Sequence, residues 1–276
     1  MGNSTQARYL PTWNVSGAWN ISNEPFVESI KLINDLKLRA TYGVSGNLPP
    51  QASALLNLQA DVTIRPTDTE PFLFIEDLTN TELTWEKLNE LNVGVDFSIL
   101  DNKINGSFNY FDRKAFDLIG IVQTSGVGGI SLKAGNFADL AANGYEVSIS
   151  TSNIDKPKFK WTTNFNFGYT KDKITKLDFG PRLADAIGQN GVAVLDGPRR
   201  GLYSTKFAGL DTNGFPTFFD ENNEIVYQYD LQERDNLQQT LKFEGPTEPR
   251  GAGGLGNTFT YKGLSLNVLL LSLIHI

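Results

Sequence analysis

The chain has 276 residues, a formal net charge of −7, no cysteine and a single histidine, with 40% of its residues hydrophobic and 11% aromatic. That apolar share suffices for one large domain or two small ones, and the missing thiols exclude a disulfide framework, a thiolate zinc site and a cysteine nucleophile. The acidic balance and the lack of a basic tract exclude a general nucleic-acid binder, whose phosphate affinity comes from clustered Lys and Arg.

Met1 to Arg8 hold no apolar signal core. No run approaches the roughly 20 apolar residues of a membrane helix, a test to which β-barrels are blind. The first patterned segment sets Trp13, Val15, Gly17, Trp19 and Ile21 against Asn14, Ser16, Ala18, Asn20 and Ser22. A period of two marks a strand with unlike faces. Leu36, Leu38, Ala40, Tyr42 and Val44 repeat it against Lys37, Arg39, Thr41 and Gly43. Helical periodicity competes only from Leu83 to Leu91, where Trp85-Glu86-Lys87-Leu88 admits one turn. Strand alternation resumes with Leu91 to Ile99, Ile104 to Tyr110 and Tyr145 to Ile149. It is clearest from Phe159 to Thr170, where Phe159, Trp161, Thr163, Phe165, Phe167 and Tyr169 share one side. Phe259 and Tyr261 precede a turn at Lys262-Gly263, and Leu264, Leu266, Val268 and Leu270 follow it.

These segments predict about eight strands of the length a tilted membrane strand needs. Their connections alternate in length. Asp101-Asn102 and Lys262-Gly263 are tight hairpins, Ser152 to Lys158 is short, and Ser22 to Asp35 is moderate. Between them lie long segments, Ser45 to Glu90, Arg113 to Asn143 and Lys171 to Gly256, read as loops. Short turns on one side and long loops on the other are the arrangement of an outer-membrane barrel. A soluble or surface β-sandwich that binds carbohydrate would also alternate apolar with polar, and period alone leaves the two level. Loop asymmetry and aromatic-ended strands favour the barrel.

Several phrases resemble the barrel region of SusC/RagA-family TonB-linked outer-membrane proteins. They include Asp35-Leu36-Lys37-Leu38-Arg39-Ala40-Thr41-Tyr42-Gly43-Val44-Ser45-Gly46-Asn47 and Leu83-Thr84-Trp85-Glu86-Lys87 followed by Leu91 to Phe97. Gly106 to Lys114 is similar to the family's strand ending Tyr-Tyr-Asp-Arg-Lys, with Phe111 for the second Tyr. Asn143-Gly144-Tyr145-Glu146-Val147 resembles another strand, with Ala141-Ala142 in place of the usual basic lead-in. Phe207 to Asp211 with Asn213 to Pro216, and Asn257 to Gly263, complete the series.

The resemblance implies an all-β antiparallel transmembrane barrel fragment, an incomplete barrel with short periplasmic turns and long extracellular loops. Residues 1–270 would form part of the barrel domain, with no signal peptide, TonB box or plug domain present. It further implies a non-enzymatic parent in the Gram-negative outer membrane that imports glycan or peptide oligomers. The implied partners are a SusD-like surface lipoprotein, the TonB-ExbB-ExbD complex, the oligosaccharide or peptide substrate and outer-membrane lipid. No cofactor or metal is expected. Leu271 to Ile276 resemble a translated sequencing adapter and are set aside from the fold, His275 with them.

Other motifs are weaker. Gly251-Ala252-Gly253-Gly254-Leu255-Gly256 spells a dinucleotide-binding pattern, but lacks the strand before and helix after that phosphate binding requires, so a flexible loop is expected. Glu86 with Glu90, and Glu221 with Glu224, could be imagined as glycosidase carboxylates; solvated loop positions explain them better. Asp211 to Gly214 and Asp220 to Glu224 lack the glycine and distant Glu of a calcium loop, and turn chemistry is expected there. Glycosylation patterns at Asn3, Asn14, Asn20 and Asn105 are coincidental in a bacterial protein. One loop feature carries a functional expectation: Phe215, Phe218, Phe219, Tyr227 and Tyr229 crowd the longest loop. Aromatic faces can stack on sugar rings or anchor a partner, or else pack the loop against itself.

Overall fold

Alternating β-branched and aromatic residues suit a pleated surface with two environments, and here they build one continuous antiparallel sheet. The computed structural model describes residues 9–49, 57–64, 69–77, 79–123, 132–188, 190–229, 232, 234 and 237–274. In chain order the strands are β1 (Trp13–Asn20), β2 (Ile33–Asn47), β3 (Asn57–Ile64), β4 (Thr69–Asp77), β5 (Glu86–Ile99), β6 (Ile104–Gln123), β7 (Leu132–Lys156) and β8 (Phe159–Leu177). They continue with β9 (Gly201–Thr205), β10 (Phe207–Leu210), β11 (Pro216–Phe219), β12 (Ile225–Val226), β13 (Leu241–Pro246), β14 (Gly251–Tyr261) and β15 (Leu264–Ile274).

Eight of them form the main sheet in the order β1-β2-β5-β6-β7-β8-β14-β15, open between β1 and β15. Neighbours in that order follow one another along the chain apart from two insertions, the β3–β4 hairpin and the loop body between β8 and β14. At one end the connections are tight. Leu100, Asp101 and Asn102 all take positive φ (58°, 54° and 61°) between β5 and β6. Lys262 and Gly263 (47° and 89°) make the β14–β15 turn, the double positive φ that matches strand twist in a two-residue hairpin.

The register places side chains of one parity on one face. Val93, Tyr110, Tyr145 and Tyr169 are successive cross-strand partners. Nearer the tight turns, Ile154, Trp161, Phe259 and Leu266 form a second such row. Tyr145 and Tyr169 stack with centroids 5.5 Å apart, as do Trp161 and Phe259 at 5.6 Å. The two rows are aromatic girdles. Eight residues of β8 separate Tyr169 from Trp161, about 26 Å of strand at about 3.3 Å per residue. At a tilt of about 35–45° that is roughly 20 Å of depth, close to the apolar band of an outer-membrane barrel.

Among the described residues this face carries no second layer. Val15, Trp19, Tyr42, Phe108, Tyr110, Tyr145, Leu266 and Leu270 are all exposed, Val15 by 67%. A sandwich would press these side chains together, and apolar exposure on this scale needs lipid against it. No helix among the described residues is long and apolar enough to cross a membrane.

Strands outrun their sequence-based limits at the loop end. Arg113 to Asn143 was expected to be loop, yet β6 reaches Gln123 and β7 starts at Leu132. Likewise β2 runs to Asn47, β5 starts at Glu86 rather than turning helically, and β3 pairs with β4 inside the same segment. Gly251 to Gly256, expected as flexible loop, is the first half of β14, paired on both sides with β8 and β15. Leu271 to Ile274, set aside above, continue the β15 ladder opposite Gly251 to Gly254. Asn3 and His275 lie outside the described residues.

Candidate functional site

Residues 178–250 leave the wall after β8 and return at β14, folding on themselves around a core of their own. Leu183, Ala186, Val194, Tyr203, Leu237 and Leu241 are buried together, with Val192 and Tyr229 packed against them. A long loop stays ordered only if such burial offsets its conformational entropy. Burial pushes the Tyr203 phenol above its ordinary value. At the start of the short helix α1 (Leu183–Ala186), Arg182 clasps Asp185 through Nε and Nη2 at 2.9 and 2.8 Å. That pair holds the Asp185 carboxyl below the usual carboxylate range. Backbone bonds fasten the loop body to the wall, Ile174 N donating to Gly197 O and Asp196 N to Ile174 O at 2.8 and 2.9 Å.

The five loop aromatics separate into two groups. Phe218 is half-buried, its ring 6.5 Å from Phe207 and 5.6 Å from Tyr229. Tyr229 donates its hydroxyl to Phe219 O at 2.6 Å, and Phe219 is half-buried beside it. Phe215 and Tyr227 stay in the open, 63% and 67% exposed. Phe207, Leu210 and Ile225, on the same three-stranded β10-β11-β12 sheet, are equally open. Sequence pattern missed these three because their strands are too short to show a period.

Asp211 and Asp220 are turn residues, as expected. Each Oδ1 accepts two backbone N–H groups at 2.8 Å, from Asn213 and Phe215 in one turn and Asn222 and Glu224 in the other. Glu86 and Glu90 are not loop carboxylates. Both lie on β5, where Glu86 accepts from Asn47 and Ile119 N, and Glu90 from Asn92 and Arg113. Among the described residues no group of three or more His, Asp or Glu could hold a metal ion.

The face of the sheet opposite the girdles is polar and cross-linked. Arg39 donates to both Asp96 oxygens at 2.7 and 2.9 Å and to Asn109 at 2.9 Å. Arg113 reaches Glu90 at 2.9 Å while its guanidinium lies 4.4 Å over the Phe111 ring. Further toward the tight turns Gly168, Gly254 and Gly256 flatten the wall into a broad concavity edged by Asn109, Glu146 and Asn166.

Where the loop body meets this polar face a smaller cavity of about 290 Å³ opens. Arg113, Ala142 and Asp172 contribute from the wall, and Arg199, Arg200, Thr247, Glu248 and Arg250 from the loop. Asp172 accepts Arg199 N at 2.8 Å, and Thr247 N donates to Arg200 O at 2.9 Å. Glu248 serves two arginines, Arg199 at 2.5 Å and Arg200 at 3.7 Å. Sequence pattern gave no notice of this arrangement, since its arginines lie as far apart as positions 113 and 250 and only the sheet order brings them together.

Comparison with known proteins agrees with this architecture. The family described as TonB dependent receptor-like, beta-barrel matches residues 2–193. TonB-dependent receptor P26 of Formosa agariphila is 26% identical, with 92% of this chain and 27% of that protein covered. TonB-dependent receptor P3 of the same organism is 32% identical over 60% of this chain and 17% of its own length. TonB-dependent receptor SusC of Bacteroides thetaiotaomicron is 26% identical over 75% of this chain and 21% of itself. The chain thus spans about a quarter or less of these relatives. A solved structure of the RagAB peptide transporter superposes with a TM-score of 0.77 at 21% identity, covering 98% of this chain and 30% of that one.

Proposed function

The chain belongs to the TonB-dependent receptor β-barrel family, and from that premise we propose that it is a section of wall, with an extracellular loop body, of an outer-membrane importer. The observation that carries this is the two-faced sheet: lipid-facing girdles on one side, a cross-linked polar surface on the other. Tight turns lie at the periplasmic end and the loop body outside the cell. The cargo is a glycan or peptide oligomer too large for passive diffusion, and energy comes from the inner membrane through TonB, ExbB and ExbD.

A SusD-like lipoprotein closes the mouth from above. The loop sheet carrying Phe215 and Tyr227, with Phe207 and Ile225 beside them, is assigned to contact with that lipoprotein or the cargo. Large aromatic side chains presented at low entropic cost are the usual anchors of such contacts. Phe218, Phe219 and Tyr229 support that sheet from within.

The test is made in the outer-membrane protein that carries this chain, in its native host. Deleting the protein is expected to stop uptake of a fluorescent oligosaccharide or peptide, and the paired change Phe215→Ala with Tyr227→Ala to reduce co-purification of a surface lipoprotein. Undiminished uptake after deletion, or recovery of the protein in the aqueous fraction without detergent, would overturn the reading.

A further inference from the structure

Two side-chain polar atoms among the described residues are shut off from solvent with no hydrogen-bond partner, Arg113 Nε and Thr247 Oγ1. Both residues line the cavity between wall and loop body. Buried polar atoms are nearly always paired in a folded chain, so two unpaired ones beside one cavity single out this junction. The charge of the lining agrees. Arg113, Arg199, Arg200 and Arg250 stand against Asp172, Glu248 and the Glu90 that pairs with Arg113. Asp172 accepts a backbone N–H, and Glu248 is divided between Arg199 and Arg200. Arg250 has no side-chain partner among the described residues, and its backbone is fixed by accepting Thr170 N at 2.8 Å. In a chain of net charge −7 this is a local reversal of sign.

We infer that this cavity is an oxyanion site at the mouth of the barrel, which selects cargo bearing carboxylate or sulfate groups. The inference rests on the importer reading above and narrows its cargo to acidic oligomers. Guanidinium groups offer planar forks that match carboxylate and sulfate oxygens. The lining arginines are half-exposed, so dissolved salt screens that attraction. Arg250 supplies uncommitted charge, and Glu248 holds the two loop arginines in place. Recruitment is electrostatic and therefore depends on salt.

The test uses the outer-membrane protein that carries this chain, purified in detergent, with three probes of similar length: oligogalacturonate, a heparin-derived tetrasaccharide and maltotetraose. Titration calorimetry is expected to find both acidic probes bound at least tenfold more tightly than maltotetraose, with the preference shrinking as salt rises. Oligogalacturonate carries carboxylates alone and the heparin fragment carries both groups. Binding of oligogalacturonate therefore shows that carboxylate suffices, and binding of the heparin fragment only shows that sulfate is required. Arg250→Gln is expected to weaken acidic binding about tenfold, equivalent to about 1.4 kcal/mol, and Arg250→Lys to weaken it less. Lys242→Gln, which removes a cation paired with Glu244 elsewhere on the loop body, is expected to change nothing. Heat-modifiable gel migration confirms that each variant is folded. Equal affinity for all three probes, silence toward both acidic probes, or an equal loss in Lys242→Gln would overturn the oxyanion site. Uptake and detergent dependence would still judge the importer reading separately.

Discussion

Ile149 sits halfway between the two girdles, four residues along β7 from Tyr145 and opposite Gly106 and Phe165. If the girdled face meets hydrocarbon, Ile149→Arg places a guanidinium at the depth where its desolvation is most costly. Lipid-facing Arg or Lys at the midplane of an outer-membrane barrel costs about 2–4 kcal/mol, falling to about 0–1 near the interfaces. Asn143→Arg shares the parity of Ile149 but lies beyond the Tyr145 girdle, so about 0–1 kcal/mol is expected there. Ser150→Arg points to the polar side, where Ser150 donates to Asn164 at 2.8 Å. It forfeits one exposed hydrogen bond, for an expected loss of about 1 kcal/mol. The three variants of the outer-membrane protein that carries this chain are folded into phospholipid vesicles. Tryptophan emission then follows their unfolding in guanidinium, extrapolated to zero denaturant. Equal costs at positions 143 and 149, or a larger cost at 150 than at 149, would refute the assignment of faces.

Gly144→Val is expected to destabilise the wall by about 1–3 kcal/mol, read as a lower midpoint for loss of heat-modifiable migration. A Cβ there would collide with Tyr169 O and lie 2.6 Å from the Phe111 ring. Leu183→Ala empties the loop core, where Leu183 is only 1% exposed, and about 2–5 kcal/mol is expected. Protease added to intact cells should then cut within residues 178–250 while the wall fragments stay protected. The loop body should also respond to pH. Asp185, held low by Arg182, contributes stability above about pH 4 that is lost as acid takes the carboxyl through its folded value. Tyr203, raised by burial, favours the folded loop below about pH 10 and loses that contribution as the phenol ionises at higher pH. Protease resistance of the loop is therefore expected to fall at both extremes, and a flat profile would contradict both assignments.

The membrane-depth part of the wall was legible in sequence because hydrocarbon and water impose opposite demands on successive residues. From Phe159 to Tyr169 each odd residue answers to lipid and each even one to the polar side, so the period of two is nearly unbroken. Above the Tyr145 girdle that contrast disappears. Asp112, Asn143 and Lys171 take the lipid-side parity there but face water, so β6 and β7 continue for many residues with no alternation to announce them. The first half of β14 was hidden differently: Gly251, Gly253, Gly254 and Gly256 have no side chains to alternate, and ladder bonds to β8 and β15 alone hold them extended. The cavity at the mouth was illegible for a third reason. Arg113 ends a strand motif, Arg199 and Arg200 follow a Gly-Pro turn, and Arg250 lies between Pro249 and the glycine run. Each is ordinary in its own context. Only closure of the loop body onto the end of β8 sets them around one space, leaving Arg113 Nε and Thr247 Oγ1 without acceptors. Local pattern therefore reports the solvent each strand meets, whereas a site assembled across 137 positions shows itself only as polar groups that the folded chain leaves unsatisfied.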